Sequence, residues 1–322
     1  MNHIGVFTSG GDAPGMNACV RAVARTAIYH GLQVSGIRRG YEGMIDGDLA
    51  PLDAASVAHI IHRGGTILKS ARSDRFRTVK GRQQAAVQVR NYGIDGMVAI
   101  GGDGTFTGAH IFQQETGIPF IGIPGTIDND LYGTDATLGY DTALNTVIEA
   151  VDRIRDTADS HDRLFIIEVM GRDAGFIALR SGIASGAEAI LIPETVTYID
   201  HINKKLSNRR ESKTGGIIIV AEGDDFGGAY DVAEAIKKAH PHFDIRVTVL
   251  GHIQRGGSPS AADRVLASRL GSAAVVALKD GKSDCMVGTA NNEVTFTPFD
   301  QATKHHQQIR PDLLELAEML SI

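Results

Sequence analysis

Cysteine is scarce: Cys19 and Cys285 stand alone in 322 residues, far apart and outside any Cys-x-x-Cys spacing. That argues against a disulfide framework and a cysteine zinc site, and it fits a reducing, cytoplasmic setting. Positive charge is not in excess either. Lys and Arg number 32 against 38 Asp and Glu, for a formal net charge of −6. A chain that wraps nucleic acid would be basic, so no nucleic-acid partner is expected, although a local basic pocket for a small anion is allowed. No apolar run reaches the roughly 18 residues of a membrane span, so no membrane helix is expected. The start, MNHIGVFTSGG, lacks a basic stretch followed by a long apolar one, so a signal peptide is not expected. No low-complexity tract or Pro/Ser-rich linker marks a domain boundary.

Glycine is abundant, with 38 copies clustered after apolar runs, the pattern of a chain with many tight strand-to-helix turns. Strands are expected at Ile4–Thr8, Gln33–Arg38, Met97–Ile100, Phe120–Ile123, Leu164–Val169, Ala189–Ile192, Gly216–Ala221 and Arg246–Leu250. Helical patterns cover 17–30, 80–92, 104–115, 138–158, 174–185, 229–239 and 259–278. In the longest unbroken example Leu144, Val147, Ile148, Val151 and Ile154 keep a 3.6-residue period. Alternating apolar strands and helices predict parallel sheets covered on both faces, and the strand count predicts two of them.

Two strand ends echo each other. IGVFTSGGD (Ile4–Asp12) and GMVAIGGD (Gly96–Asp103) both run from an apolar strand into Gly-Gly-Asp and a helix. Ligands of doubly wound sheets gather at such carboxyl ends, so one site built from both is expected, against the plainer reading of two unrelated turns. At Gly101–Thr105 the bare backbone and the helix start suit a phosphate. Asp103 then suits Mg²⁺, which takes one or two carboxylates plus phosphate oxygens; alternatively it caps the helix. This is not a P-loop, because Gly281–Ser283 would need glycine where Val276 stands. It is not a dinucleotide fingerprint either, because the third glycine falls on Thr107.

The second motif is PGTIDND, Pro124–Asp130. If extended, it would point Asp128 and Asp130 to one side, one of them a base for a hydroxyl attacking a phosphoryl group; an Asx-rich turn without chemistry is the alternative. Arg172 in EVMGR, and His252 and Arg255 in LGHIQRGGSP, follow other strands, and guanidinium forks suit phosphate. Arg21 and Arg25 lie one helical turn apart, either a solvated face or a second anion site.

The five stretches TSGGDAPGMNA, GGDGT, PGTIDND, EVMGR and LGHIQRGGSP together resemble the bacterial ATP-dependent 6-phosphofructokinase family, from the first strand to about residue 280. GGDGT alone is also carried by NAD and lipid kinases. The resemblance implies an α/β fold of two doubly wound, mainly parallel-sheet domains with helices on both faces. Residues 1–138 with about 253–305 would bind ATP and Mg²⁺, and 139–252 with about 306–322 the sugar phosphate. It implies transfer of the ATP γ-phosphoryl group to the 1-hydroxyl of fructose 6-phosphate, the committed step of glycolysis. Gly11, Arg72, Ser73 and Gly102, Asp103, Gly104 and Thr105 would hold ATP, with Asp103 on Mg²⁺. Asp128 would take the hydroxyl proton, beside Thr126, Ile127 and Asp130, while Arg172 and Arg72 stabilise the moving phosphoryl group. Met170, Gly171, Arg172, Glu222, His252 and Arg255 would bind the sugar phosphate, with Arg163 and Arg246 from a neighbouring subunit of a tetramer.

The same resemblance implies an effector pocket for ADP or phosphoenolpyruvate at Arg21, Arg25, Arg155, Glu188 and Lys213. Pyrophosphate-using relatives typically carry Asp at position 104 and Lys at 125; glycine at both predicts ATP as donor. Some positions depart from the family pattern. Ser73 stands where an aromatic residue is usual, which predicts weaker nucleotide stacking. Ala54, His59 and Glu211 replace an Arg, an Asp and a Lys of well-regulated members, which predicts blunted allosteric control. A kinase of the NAD or lipid class and a non-catalytic sugar-phosphate sensor are the rival readings.

Overall fold

The computed structural model describes residues 1–208 and 215–320. The chain divides into two compact units. The first comprises Met1–Ile127, Leu131–Thr142 and Arg255–Gln307; the second comprises Asp128–Asp130, Ala143–Gln254 and Gln308–Ile322.

The first unit holds a seven-stranded sheet. In chain order its elements are β1 (His3–Thr8), α1 (Met16–Tyr29), β2 (Gln33–Ile37), α2 (Gly40–Asp46), β3 (Leu49–Pro51), α3 (Val79–Asn91), β4 (Gly96–Gly101), α4 (Asp103–Thr116) and β5 (Phe120–Pro124). After the second unit come α9 (Ala261–Lys279), β10 (Cys285–Ala290), β11 (Glu293–Pro298) and α10 (Phe299–Lys304). The strand order is β11-β10-β5-β4-β1-β2-β3. The inner pairs are parallel, and the edge pairs β2/β3 and β10/β11 are antiparallel. The chain leaves β1 toward β2 and later returns to β4 on its other side, so the strand order reverses between β1 and β4.

The second unit holds a four-stranded parallel sheet of order β7-β8-β6-β9. It is built from α5 (Tyr140–His161, whose first turn lies in the first unit), β6 (Arg163–Val169), α6 (Phe176–Ser185), β7 (Ala189–Leu191), α7 (Ile199–Ser207), β8 (Gly216–Ala221), α8 (Ala229–Ala239), β9 (Asp244–Val249) and α11 (Pro311–Leu320).

The two cores differ in composition. The few aromatic residues concentrate against the first sheet, where Phe7, Tyr41, Phe76, Phe106, Phe112, Phe120 and Phe299 share one buried cluster. Tyr41 stacks on Phe76 at 3.9 Å and Phe106 on Phe299 at 5.3 Å between ring centres. The second core is aliphatic, with Ile166, Leu191, Ile218, Val220, Val232 and Ile236 buried together. Each such side chain contributes about 1.5–3 kcal/mol when taken from water.

All eight expected strands are present with ends shifted by a few residues at most. Several elements were not legible. β3 is three residues long and ends in proline. The β10/β11 hairpin turns on Asn291 and Asn292, both left-handed (φ 51° and 66°), with Ala290 facing Glu293. That is the primed two-residue turn that asparagine favours, and the alternation in EVTFTP after it was the available signal. The helices α2, α7, α10 and α11 are short segments without a long apolar period.

One polar junction ties α5 to α9. Asp263, in the first turn of α9, is almost wholly buried. It accepts the amides of Gly139 and Thr142 at 2.8 Å each, and the Thr142 hydroxyl. In return Ser260, which caps α9, donates its amide to Thr142 Oγ1 (2.9 Å) and its hydroxyl to Asp141 (2.5 Å). Each helix start is therefore held by side chains of the other. Burial pushes the Asp263 carboxyl above its usual range, against the pull of its donors. Asp263→Asn turns an NH₂ donor toward these amides and is expected to remove about 1–3 kcal/mol of stability. Urea unfolding reads this directly; an unshifted midpoint would show that the junction contributes nothing.

Candidate active site

The first unit gathers three strand ends. β1, β4 and β5 are neighbours, with Thr8 beside Ile100 and Gly101 beside Pro124. The ladder continues past the strands: Ser9 donates its amide to Ile100 O and Gly125 to Gly101 O, both at 2.9 Å. The approach is too close for side chains. A Cβ on Gly101 would lie 2.6 Å from Ser9 O and closer still to Thr105 Oγ1. The two Gly-Gly-Asp loops are thus one surface, at the point where strand order reverses, where doubly wound sheets bind ligands.

The helix α4 starts on this surface. Its N-cap is Gly102, in an extended conformation, and no side chain caps it. The Thr105 amide turns back onto Gly102 O at 3.0 Å, and the helix dipole at this start favours an anion. The alternative that Asp103 caps the helix is corrected here: Asp103 is the first helical residue, because glycine already occupies the cap. Thr105 is buried, and its carbonyl accepts the Tyr41 hydroxyl at 2.5 Å. A Cβ on Gly104 meets no atom within 4 Å, whereas one on Gly125 would press within 2.9 Å of Ile100.

The segment after β5 departs from the expected geometry. Thr126 lies beside Gly102, at 4.0 Å from the position of a Cβ there, and its carbonyl accepts the Thr137 hydroxyl at 2.6 Å. Beyond it the backbone bends at Ile127 and Asp128, and Asn129 is left-handed (φ 55°). The alternation argument for Asp128 and Asp130 needed an extended chain, so it does not apply. A turn, which asparagine tolerates, sets their directions instead.

Three further residues are placed by this unit. Arg72 is exposed. Ser73 donates its hydroxyl to Glu42 and accepts the Phe76 amide at 3.2 Å, so its side chain is committed to the local turn. Those bonds, that from Ser73 first and from Arg75 second, hold the Glu42 carboxyl below its usual range. Arg255 lies over Gly11: a Cβ there would be 2.8 Å from one guanidinium nitrogen. The guanidinium is the mobile end of its side chain, so this contact places Arg255 at the first loop without requiring glycine there.

In the second unit Met170, Gly171 and Arg172 form the turn after β6. Arg172 is left-handed (φ 55°) and exposed. Glu222, following β8, accepts the Arg172 amide at 2.7 Å and the Gly171 amide at 3.3 Å. Arg163 and Arg246, on the paired strands β6 and β9, share Asp244 at 2.8 and 3.1 Å. The Arg163 bond, with both positive charges near, holds the Asp244 carboxyl below its usual range. His252 is exposed in the short helical turn Gly251–Arg255.

The expected effector residues fall in both units. Arg21 and Arg25 are close on α1, and burial followed by Arg25 lowers the Arg21 pKa. Arg155 donates to Ser185 O, and Glu188 is buried. Ala54 is exposed, and His59 is exposed and left-handed (φ 55°). Lys213 and Glu211 lie outside the described residues. Sequence reasoning passed over Asp244 and Asp263, whose partners Arg163, Gly139 and Thr142 are distant in the chain.

The sequence model of the phosphofructokinase family matches residues 3–278. The chain belongs to the phosphofructokinase family. Among curated relatives, ATP-dependent 6-phosphofructokinase 2 of Bacteroides thetaiotaomicron is 55% identical over 99% of this chain and 98% of its own length. ATP-dependent 6-phosphofructokinase 1 of Thermus thermophilus is 56% identical over the whole of both chains. Among solved structures, phosphofructokinase from Saccharomyces cerevisiae superposes with a TM-score of 0.90 at 38% identity. That match covers 94% of this chain, which spans 45% of the length of the yeast chain. A pyrophosphate-dependent phosphofructokinase from Marinobacter aquaeolei, at 23% identity, shares the fold with a TM-score of 0.86 over 99% of this chain and 91% of its own. Among the described residues no helix is long and apolar enough to cross a membrane.

The crowding at the strand ends is open to test. Gly101→Ala sets its new carbon against the Ser9 backbone, which cannot rotate away, and is expected to cost about 1–3 kcal/mol of stability. Chemical unfolding reads the loss; an alanine variant as stable as the parent would show that the two loops have room to part.

Proposed function

We propose that this phosphofructokinase-family chain phosphorylates the 1-hydroxyl of fructose 6-phosphate with ATP, giving fructose 1,6-bisphosphate and ADP, the committed step of glycolysis. The observation that carries this reading is the glycine-capped start of α4 at the strand-order reversal, with Asp103 as its first residue. Such a helix start suits an anion, and Asp103 adds one carboxylate beside it. The curated relatives named as ATP-dependent 6-phosphofructokinases, similar along the whole chain, support the same substrates.

The donor set fits Mg²⁺ brought by the nucleotide. Among the described residues no group of three or more His, Cys, Asp or Glu could hold a metal ion. A single carboxylate suits Mg²⁺, which keeps waters and phosphate oxygens as its other ligands. Asp103 would hold it, and it would neutralise phosphate charge when bound. Gly11, Gly102 and Gly104 hold the phosphates by their main chain, with Thr105, Arg72 and Ser73 alongside. Gly104 favours ATP over pyrophosphate as donor, since a carboxylate there would repel the α-phosphate.

Transfer is direct. The sugar 1-hydroxyl oxygen attacks the γ-phosphorus, the bond to the bridging oxygen of ADP breaks, and Asp128 accepts the hydroxyl proton. Thr126, Ile127 and Asp130 flank that base. Arg172 and Arg72 stabilise charge on the phosphoryl oxygens in transit. Met170, Gly171, Glu222, His252 and Arg255 bind the sugar phosphate, joined by Arg163 and Arg246 from a neighbouring subunit of a tetramer. The first unit serves ATP and the second the sugar phosphate, in the cytoplasm.

Two measurements test this. A coupled assay is expected to show phosphorylation of fructose 6-phosphate with ATP and none with pyrophosphate; activity on NAD or a lipid alcohol in its place would overturn the assignment. Asp128→Asn is expected to lower kcat by about 10²–10⁴-fold with sugar-phosphate binding largely intact. A folded variant with unchanged kcat would remove Asp128 from the role of base.

Regulation through Arg21, Arg25, Arg155, Glu188 and Lys213 is expected to be weak, because Ala54 and Glu211 stand where the family carries an Arg and a Lys and so leave fewer cations for an anionic effector, while His59 removes a family Asp. Phosphoenolpyruvate should barely shift the half-saturating fructose 6-phosphate concentration at neutral pH. A strong rise would show that the remaining cations suffice.

A further inference from the structure

The turn after β6 is gripped from both neighbouring strands. In the second sheet β6 lies between β8 and β9. From the β8 side, Glu222 Oε1 accepts the amides of Gly171 and Arg172, at 3.3 and 2.7 Å. From beyond β9, Gln254 Oε1 accepts the Met170 amide at 2.9 Å. Three successive backbone N–H groups thus end on two side chains. Arg172, the last of them, holds a left-handed conformation (φ 55°) that residues with a side chain seldom adopt, so the turn depends on such outside partners.

Gln254 is completely buried, and its Nε2 has no hydrogen-bond partner. A buried donor without a partner is costly, so a glutamine here is a poor choice for stability alone. Turning the amide over would bring Nε2–H against the Met170 N–H, two donors face to face. The orientation is therefore set by Met170, and the acceptor half of the amide is the half the fold uses.

We infer that Gln254 is a positioning residue for phosphoryl transfer. Together with Glu222 it holds the Met170–Arg172 turn, so that the Arg172 guanidinium projects from a fixed left-handed backbone. Buried as it is, Gln254 touches no substrate and acts through the turn. The inference rests on the proposed role of Arg172 in stabilising the phosphoryl group, and it adds the means by which that arginine is aimed.

A double-mutant cycle tests it. Gln254→Leu keeps the bulk and removes the acceptor. It is expected to lower kcat about 10–100-fold, the effect of misplacing a reacting group by up to an ångström, with the KM for ATP unchanged. In an Arg172→Ala background the same change should alter kcat by less than about twofold, because residues acting through one another are not additive. Equal losses in both backgrounds, or no loss where Arg172 is intact, would overturn the inference. Should the leucine variant not fold, Gln254→Asn withdraws the same carbonyl by one methylene and is read in the same cycle. If the parent chain fails to phosphorylate fructose 6-phosphate, the proposed function falls, and the clamp is judged by a crystal structure of the variant. Arg172 leaving its left-handed conformation there supports the clamp; Arg172 keeping it overturns the clamp.

Discussion

The absence of a β-carbon at residue 101 governs the first unit. With a side chain there, the β-carbon would fall 2.6 Å from Ser9 O, so the end of β4 and the first loop could not keep their present contact. Parallel strands whose order reverses at one point must splay their connections to opposite faces, which leaves a crevice at their carboxyl ends. Glycines at that crevice let the backbone itself line it. The helix α4 can then begin at these strand ends, with glycine at its cap instead of an oxygen-bearing side chain. In the other loop the Arg255 guanidinium lies over Gly11.

Carboxylates placed far away in the chain stabilise what these short turns cannot stabilise alone. Asp263 accepts amides at the start of α5 across more than a hundred residues. Glu168 does the same for Ala229 in α8 at 2.9 Å, and Glu194 for Gly175 before α6 at 2.8 Å. Burial raises the pKa of Glu194 as it does that of Asp263. A helix start with a local Ser or Thr cap needs no such help, as at Thr78 before α3. At α5, α6 and α8, where glycine precedes the helix, a carboxylate from elsewhere accepts the amides. Glycine-rich strand ends and distant acidic caps are thus two sides of one arrangement. The Glu222 and Gln254 grip on the turn after β6 extends it to a turn that starts no helix.

Much of the scaffold was legible because parallel strands buried on both faces are written as unbroken apolar runs. Met97–Ile100 and Gly216–Ala221 need no tertiary information to be recognised. The two Gly-Gly-Asp ends are recognisable in the same way, and the structure brings Ser9 of one against Gly101 of the other. The direction of Asp128 and Asp130 was not legible, since a single left-handed residue, Asn129, replaces the alternation of an extended strand. Nor was the commitment of Ser73 to Glu42, because the partner lies some thirty residues back on another element.

Local sequence determined the elements that depend on local forces: strand identity from apolar continuity, helices from their period, and tight turns from glycine and asparagine. It also determined which residue types stand at the strand ends. Only the tertiary structure decided which strand ends meet, that Gly102 and not Asp103 caps α4, and which distant carboxylate or amide holds each turn. Those outcomes depend on strand order and on hydrogen bonds between residues far apart in the chain, and neither is encoded in the spacing of neighbours.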